Sequence, residues 1–191
     1  MPSLTDDFND LVLRIQQGRE LNYASFEPIY YLVFPPSEII EVKRQLPAWR
    51  SSLEHKNFHV VTFSIAEAIE EILGKDPRRN VWLAMDRKNP LDWDKANKSL
   101  ANALSPKLEQ RLEDAVHTAA QQANGIILFT DLEALHPYLR IGAIEGKLQG
   151  RFTVPAIFLY PGVRSGKTRL SFLGFYPDDG NYRSVHVGRM F

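Results

Sequence analysis

Several short runs of this sequence consist almost entirely of β-branched, aromatic and other apolar residues, and they constrain the fold more than any other feature. The clearest runs occupy residues 29–34, 126–129 and 154–160, and another at 58–63 leads directly into Ser64-Ile65-Ala66-Glu67. Runs without polar alternation are typical of strands buried on both faces, as in a parallel sheet covered by helices. The Ser-x-x-Glu step predicts that a helix begins directly after its strand.

Predicted helices alternate with these strands, and their bounds follow from apolar spacing and capping residues. They cover residues 5–18, 37–55, 64–74, 105–124 and 138–148. Ser37 is the expected N-cap of the second helix, and Pro47 predicts a kink or a break within it. Ser105-Pro106 predicts a helix start because proline is favoured in the first turn. Thr130 and Glu133 match a further capping box, which predicts a helical segment that His136-Pro137 breaks before the helix at 138–148.

This order of strands and helices predicts a three-layer α/β fold with a mainly parallel five- to six-stranded sheet and helices on both faces. A C-terminal antiparallel hairpin is expected, because predicted strands at 154–160 and 170–176 are joined by a short polar loop at 161–168. A sixth short strand is predicted at 182–187. We expect a single domain over residues 1–191, with a partly helical insertion at about 75–106 that contains a short helix near 93–104.

Charge and composition exclude several classes of function. The chain has 23 basic and 23 acidic residues, whereas a protein that binds duplex DNA alone through phosphate contacts usually has a basic surplus. Cysteine is absent, which excludes disulfide frameworks, cysteine–zinc sites, iron–sulfur clusters and thiol catalysis. The first ten residues lack a basic secretory n-region, and no apolar run is long enough to span a bilayer. The expectation is a soluble cytoplasmic protein.

One segment, Gly162-Val163-Arg164-Ser165-Gly166-Lys167-Thr168, resembles the phosphate-binding Gly-x-x-x-x-Gly-Lys-Ser/Thr loop. Its spacing is one residue short, and the residues that follow have the pattern of a strand instead of the helix that a phosphate loop requires. We therefore interpret it as a hairpin loop. Arg164, Lys167 and Arg169 remain candidate contacts with an acidic partner or nucleic acid, although a solvated loop also explains them.

Other candidate residues do not assemble a catalytic set. Asp131 follows a buried strand, where α/β proteins often place ligands, but helix capping explains it as well. The five histidines are expected to be structural, and there is no Gly-x-Ser-x-Gly nucleophile elbow. We predict no metal site and no cofactor. From its residues alone the chain is an α/β domain without an evident active site.

A linear series of segments is more informative than any single motif. The series comprises residues 29–37, Leu46-Pro47-Ala48-Trp49, residues 63–73, residues 125–131, His136-Pro137-Tyr138-Leu139-Arg140, residues 154–162, Leu173-Gly174-Phe175 and Asn181-Tyr182-Arg183. In order and spacing it resembles the BrxB family of bacteriophage-exclusion (BREX) phage-defence systems. The resemblance covers about residues 26–187, and the tract 75–106 departs from it.

The resemblance implies a small non-catalytic component of a multigene system that methylates host DNA and blocks phage replication. In such systems the chemistry is assigned to a methyltransferase, ATPases and the phosphatase-like protein PglZ. Other BREX proteins, PglZ in particular, are the implied partners, and the resemblance carries over no catalytic residues. Arg140 matches a family position and is a candidate contact. Trp82 and Trp93 in the insertion are candidate interface anchors, because aromatic residues concentrate binding energy, although core packing explains them equally well.

Two other functions stay open at this point. The chain could be a degenerate phosphate-loop protein that binds a nucleotide through Lys167, Thr168 and Asp131. It could also be an accessory nucleic-acid-binding subunit that uses Arg164, Lys167, Arg169 and Arg183, a role that zero net charge disfavours for the isolated chain.

Overall fold

Helices cover both faces of a mainly parallel sheet in the computed structural model, which describes residues 3–18, 27–166, 169–180 and 184–188. The strands are β1 (Ile29–Phe34), β2 (His59–Ser64), β3 (Gly125–Thr130), β4 (Ala156–Ser165), β5 (Arg169–Phe172), β6 (Asp179–Gly180) and β7 (Val185–Gly188). Five of them form a parallel sheet in the order β2-β3-β4-β1-β7. The predicted α/β class and parallel sheet are therefore confirmed.

The helices are α1 (Leu4–Gln17), α2 (Ile39–His55), α3 (Ile65–Gly74), α4 (Arg79–Lys88), α5 (Trp93–Ala120) and α6 (Ile141–Lys147). Helices α1 and α2 contribute to the core on one face of the sheet, and α3, α5 and α6 contribute to the core on the other. Alternate strand residues supply both cores: Tyr31 of β1 belongs to one and Leu32 to the other. This two-sided burial explains why the strands lack polar alternation. No helix in the described ranges is both long and apolar enough to cross a membrane.

The helix start predicted at Ser105-Pro106 and the N-cap predicted at Ser37 are wrong, and of the two alternatives predicted at Pro47, a kink or a break, the break is excluded. Pro106 lies inside α5 instead of starting a helix, and Pro47 lies inside a continuous α2 that begins at Ile39, so Ser37 is not its N-cap. In α5 the buried stripe continues across the proline, with Leu104 before it and Leu108 after it. Packing of this stripe on the sheet outweighs the missing backbone donor of Pro106.

The capping box predicted at Thr130 does not form, although the short helical segment predicted there, which ends at His136-Pro137, is present. Thr130 ends β3, the next residues form a short 3-10 helix at Leu132–Leu135, and Asp131 makes no side-chain cap there. The Thr130 hydroxyl instead donates a hydrogen bond to Asp131 Oδ2 at 2.8 Å. The following helix begins at Ile141, three residues later than predicted.

The C-terminal hairpin is confirmed, but its loop is shorter than predicted. Strand β4 continues to Ser165, so residues 161–165 are extended, and β5 pairs with them in antiparallel fashion with Gly162 opposite Phe172. Strand β5 ends at Phe172 because Leu173 and Gly174 adopt positive φ angles and turn the chain. The predicted strand at 182–187 corresponds to β7, which pairs in parallel with β1; residues 182 and 183 lie outside the described residues.

The predicted insertion at 75–106 is mostly helical. It contains α4, which the sequence analysis missed, and the first half of the 28-residue helix α5. At 1.5 Å per residue α5 is about 42 Å long, against about 20 Å for the six-residue strands β2 and β3. The α5 residues in the main core extend from Leu104 to Ala119. The earlier part of α5 therefore extends beyond the carboxyl edge of the sheet, where the parallel strands end, and α4 packs beside it.

Candidate functional site

A polar cluster occupies the carboxyl ends of β2 and β3. Asp131 follows β3 with a left-handed backbone (φ 59°), which is uncommon for a residue other than glycine. Its Oδ2 accepts hydrogen bonds from the hydroxyls of Ser64 at 2.7 Å and Thr130 at 2.8 Å. Its Oδ1 lies 2.7 Å from Lys43 Nζ, which also lies 2.7 Å from Glu133 Oε1. The cluster joins α2, β2, β3 and the 3-10 helix.

Hydrogen bonds and ion pairs within this cluster stabilise its charged groups. Burial by itself would raise the pKa of Asp131, but the hydrogen bonds from Lys43, Ser64 and Thr130 outweigh it and lower that pKa. Burial opposes the charge of Lys43 as well, yet hydrogen bonds to Asp131 and Glu133 raise its pKa. Both carboxylate oxygens of Asp131 are engaged with protein groups. The arrangement holds these four elements together and leaves little capacity for a ligand on this carboxylate.

The segment that resembles a phosphate loop has the geometry of a strand. Residues 162–165 of this segment belong to β4. The chain that follows the segment forms β5, which pairs with β4, so it is extended as predicted. Gly162 is explained by packing, because a Cβ there would collide with the Ser171 carbonyl oxygen and the Tyr160 ring. Lys167 and Thr168 lie outside the described residues. The described part of this segment offers no helix N-terminus for a phosphate.

The predicted basic residues of this hairpin do not form one patch. Arg164 lies opposite Leu170 and Arg169 lies opposite Ser165, so the two arginines point to opposite faces of the β4–β5 pair. Arg164 Nε donates to the Gly166 carbonyl at 3.2 Å, and burial lowers the pKa of its guanidinium. Arg183, like Lys167, lies outside the described residues.

Two other loops beyond the carboxyl edge meet in a surface cluster that we call the aromatic surface: His136, Arg140, Phe175 and Tyr176. The Arg140 guanidinium lies 4.3 Å from the centre of the Tyr176 ring, and the Tyr176 hydroxyl hydrogen-bonds to His136 Nδ1 at 2.5 Å. Phe175 contacts both rings, with ring centres 5.5 Å from His136 and 4.7 Å from Tyr176. The four side chains therefore form one continuous patch.

The aromatic surface combines exposed rings with a cation that has no carboxylate partner among the described residues. Phe175 is 64% exposed, which is unusual for a phenylalanine, and Arg140 is also exposed. A small pocket beside the patch is lined mainly by apolar and aromatic groups: Arg140, Ile141, Gly142, Tyr160, Phe172, Tyr176 and Pro177. Such a patch can accept an apolar group next to an anionic one.

Local structure explains how these residues reach the surface. The positive φ angles of Leu173 and Gly174 end β5 and turn Phe175 outward, and Ser171 Oγ donates to the Tyr176 carbonyl at 2.7 Å to hold the turn. Sequence analysis singled out Arg140 but missed His136, Phe175 and Tyr176 as members of one site. A signal for three of the four existed, because His136, Arg140 and Phe175 lie in two segments that carry the family resemblance.

The two tryptophans of the insertion have different environments. Trp82 is 5% exposed and donates from Nε1 to Ser99 Oγ at 2.9 Å, so it holds α4 against α5. Trp93 is 59% exposed at the first residue of α5. Of these two predicted anchors, only Trp93 is available to a partner.

Metal ligands do not cluster in the described part of the chain, where no group of three or more histidine and acidic residues could hold an ion. His186 is buried in β7, with its ring edge-on to Tyr31 at 5.4 Å. Burial, with a smaller effect from Arg164, lowers the pKa of His186 to about 4. This imidazole is therefore neutral at physiological pH and packs as a core side chain.

Comparison with known proteins gives one match. The family model described as "BREX protein BrxB" matches residues 61–187 of the 191-residue chain, a range that includes the aromatic surface and the helices of the insertion. Neither the curated proteins nor the solved structures contain a match.

Proposed function

Because the chain belongs to the BrxB family and is thus a component of BREX phage defence, we propose that it acts as a non-catalytic assembly or adaptor subunit. In this role it binds other BREX proteins and holds them in one complex. The partner that we assign to it is the phosphatase-like PglZ component. The aromatic surface is the contact that we assign to PglZ.

The observation that carries this proposal is the contact of two exposed side chains, Arg140 and Phe175, with the half-buried ring of Tyr176. Tyrosine and arginine are enriched among interface residues that contribute most of the binding energy, and such residues cluster beside pockets that become desolvated. The Arg140 guanidinium already stacks on Tyr176, so little side-chain entropy is lost when a partner carboxylate binds it. Exposure of Phe175 has no folding benefit, which supports a role in binding.

The carboxyl edge supports the non-catalytic part of the proposal. Ligands of open parallel sheets usually bind at this edge, and here Asp131 engages Lys43, Ser64 and Thr130. A carboxylate with satisfied oxygens is a poor general base, because its protonation breaks several hydrogen bonds.

Co-expression of the chain with PglZ from the same operon tests this function. A tagged chain is expected to co-purify with PglZ at fixed stoichiometry, and the isolated chain is expected to show no hydrolysis of phosphate esters, ATP or DNA. A chain that elutes alone from every co-expression with BREX proteins would contradict the adaptor role. Turnover by the isolated chain that survives repeated purification would contradict the non-catalytic role.

A further inference from the structure

Helix α6 is too short to be stable by itself, so its position depends on the contacts that it makes. It has seven residues, Ile141–Lys147, whereas isolated helices shorter than about 12 residues are marginal in water. Arg140 of the aromatic surface directly precedes this helix, with an extended backbone and no side-chain cap. The contacts that fix α6 on the sheet therefore also determine where Arg140 enters the aromatic surface.

One of these contacts is polar and buried. The hydroxyl of Tyr31 in β1 donates a hydrogen bond to Oε2 of Glu145 in α6. Glu145 is 6% exposed and Tyr31 is 1% exposed. The other buried residues of α6, Ile141 and Ile144, make apolar contacts, which have no preferred direction, whereas a hydrogen bond weakens steeply when its angle changes. The bond between Tyr31 and Glu145 is therefore a directional contact that fixes the rotation of α6 on the sheet.

The Tyr31 ring is held in place from several sides. It stacks on Phe158 with ring centres 5.1 Å apart, and it lies edge-on to Tyr160 at 5.5 Å and to His186 at 5.4 Å. Tyr160 also lines the small pocket beside Arg140. The Tyr31 hydroxyl is thus a fixed point for α6, and the packing around it reaches the aromatic surface by a second route.

A carboxyl group at position 145 is difficult to explain by stability alone. Ile141, Ile144, Glu145 and Leu148 follow the i, i+3, i+4, i+7 spacing of a buried helix stripe, and the other three are core residues. An apolar side chain at 145 would continue this stripe. Replacement of both partners of a buried polar pair by apolar groups of similar shape is often neutral or stabilising. A requirement for one defined position of α6 explains the polar exception better than stability does.

We infer that Glu145 is a positioning residue for the binding of PglZ: its hydrogen bond with Tyr31 sets the position of α6 and so holds Arg140 against Tyr176. The inference rests on the proposed function, because it concerns how the aromatic surface is kept ready for that partner. Glu145 is buried, so it acts through Arg140 and not by contact with PglZ.

A double-mutant cycle with Arg140 tests this relation by titration calorimetry. Tyr31→Phe removes the donor hydroxyl and keeps the ring, and it is expected to weaken PglZ binding about tenfold. In the Arg140→Ala background the same change is expected to have an effect of less than about twofold, because the residue through which it acts is absent. Tyr30→Phe, on the opposite face of β1, is the matched control and should leave the affinity unchanged. An equal loss in both backgrounds, or full affinity of Tyr31→Phe, would overturn the inference.

Two further variants separate positioning from stability. Glu145→Gln keeps an acceptor for the Tyr31 hydroxyl and is expected to retain most of the affinity for PglZ. Tyr31→Phe with Glu145→Met replaces both partners by apolar groups, so its free energy of unfolding is expected to stay close to that of the wild type while PglZ binds about tenfold more weakly. Affinities that fall only in proportion to stability across these variants would indicate a merely structural role and overturn the inference.

The isolated chain provides a readout that does not depend on PglZ. The side-chain methylene resonances of Arg140 sense the ring current of Tyr176, and Tyr31→Phe is expected to move them towards the values of the exposed Arg50. Unchanged Arg140 resonances in Tyr31→Phe would overturn the inference and leave the proposed function intact. If the wild-type chain does not bind PglZ, the proposed function fails, and these resonances still decide whether Tyr31 and Glu145 position Arg140.

Discussion

The guanidinium carbon of Arg140 lies 4.3 Å from the centre of the Tyr176 ring, and this contact joins the loop after β3 to the turn after β5. The guanidinium is planar by itself, and its contact with the Tyr176 ring fixes its position, so its outer N–H groups can present the fork geometry that suits a carboxylate. The exposed ring of Phe175 lies beside it, in contact with Tyr176. An anionic group and an apolar group of a partner can therefore bind side by side.

Substitution of Arg140 or Phe175 is expected to weaken PglZ binding without unfolding the chain. Removal of a central interface residue costs about 2 kcal/mol or more, which corresponds to a loss of roughly thirtyfold in affinity. Arg140→Lys is expected to recover part of the loss, because it keeps the charge but not the planar stacking. Titration calorimetry measures the affinities, and Arg50→Ala, an exposed arginine of α2, is the matched control. Equal affinities for the wild type, the Arg140 and Phe175 variants and the control would exclude the aromatic surface as the binding site.

Pro106→Ala is expected to stabilise the protein. Pro106 is exposed in the middle of α5, and proline in a helix interior costs up to about 3 kcal/mol relative to alanine. We expect a gain of about 1–3 kcal/mol in the free energy of unfolding, measured by urea denaturation. Pro90→Ala, in the loop between α4 and α5, is the control and should change stability little. A loss of stability in Pro106→Ala would indicate that a separate helix does begin at Pro106.

Lys43→Met is expected to destabilise the fold, because the ammonium group pairs with both Asp131 and Glu133. The pair is partly exposed, so a loss of about 1 kcal/mol is expected, which lowers Tm by roughly 2–4 °C for a chain of this length. Lys56→Met removes an exposed lysine without an ion pair among the described residues and is the control. Thermal unfolding followed by circular dichroism measures both. Identical Tm values for the two variants would mean that the cluster contributes nothing to stability.

The ion pairs of the Asp76 carboxylate with Arg78 and Lys107 should make the local stability of α4 sensitive to acid. Hydrogen bonds from Arg78, then from Lys107, lower the pKa of Asp76 well below its usual range. A carboxyl group whose pKa is lower in the folded state stabilises the fold above its unfolded pKa and loses this effect as pH falls through the folded value. Asp76→Asn is therefore expected to speed amide hydrogen exchange in α4 at neutral pH, and the difference from wild type should shrink towards pH 2. A difference that grows on acidification would contradict this assignment.

Nucleotide binding provides a negative test. Strand β4 continues through Ser165 and β5 follows, so the described residues lack the helix that a phosphate loop requires. Calorimetry with ATP and Mg²⁺ is expected to show no saturable heat, for the wild type and for Lys167→Ala alike. Saturable binding that Lys167→Ala removes would restore the nucleotide-binding alternative.

The strands and their parallel pairing could be predicted because burial on both faces leaves a strong composition signal. The interior of β3 is such a run, and each of its residues is buried. The helix start at Ser105-Pro106 was wrong because a local preference competed with a longer stripe of packing, from Leu104 to Ala119, that only the assembled sheet makes favourable. The end of β4 was missed because Val163 and Arg164 are held by pairing with β5 and not by deep burial.

The aromatic surface was only partly predictable. His136 and Tyr176 are 40 residues apart and hydrogen-bond across two loops, so no local spacing relates them. Family resemblance marked Arg140 and the two segments that meet there, but not their contact. Trp82 and Trp93 show the same limit, because the packing of α4 on α5 decides which indole is buried and which remains exposed.

Hydrogen–deuterium exchange of the chain, free and bound to PglZ, tests the central claim most directly. Bound PglZ is expected to slow exchange at residues 136–140 and 173–177, and Arg140→Ala with Phe175→Ala should abolish that protection at the same protein concentrations. Protection confined to other parts of the chain, or an exchange pattern that PglZ leaves unchanged, would contradict the account.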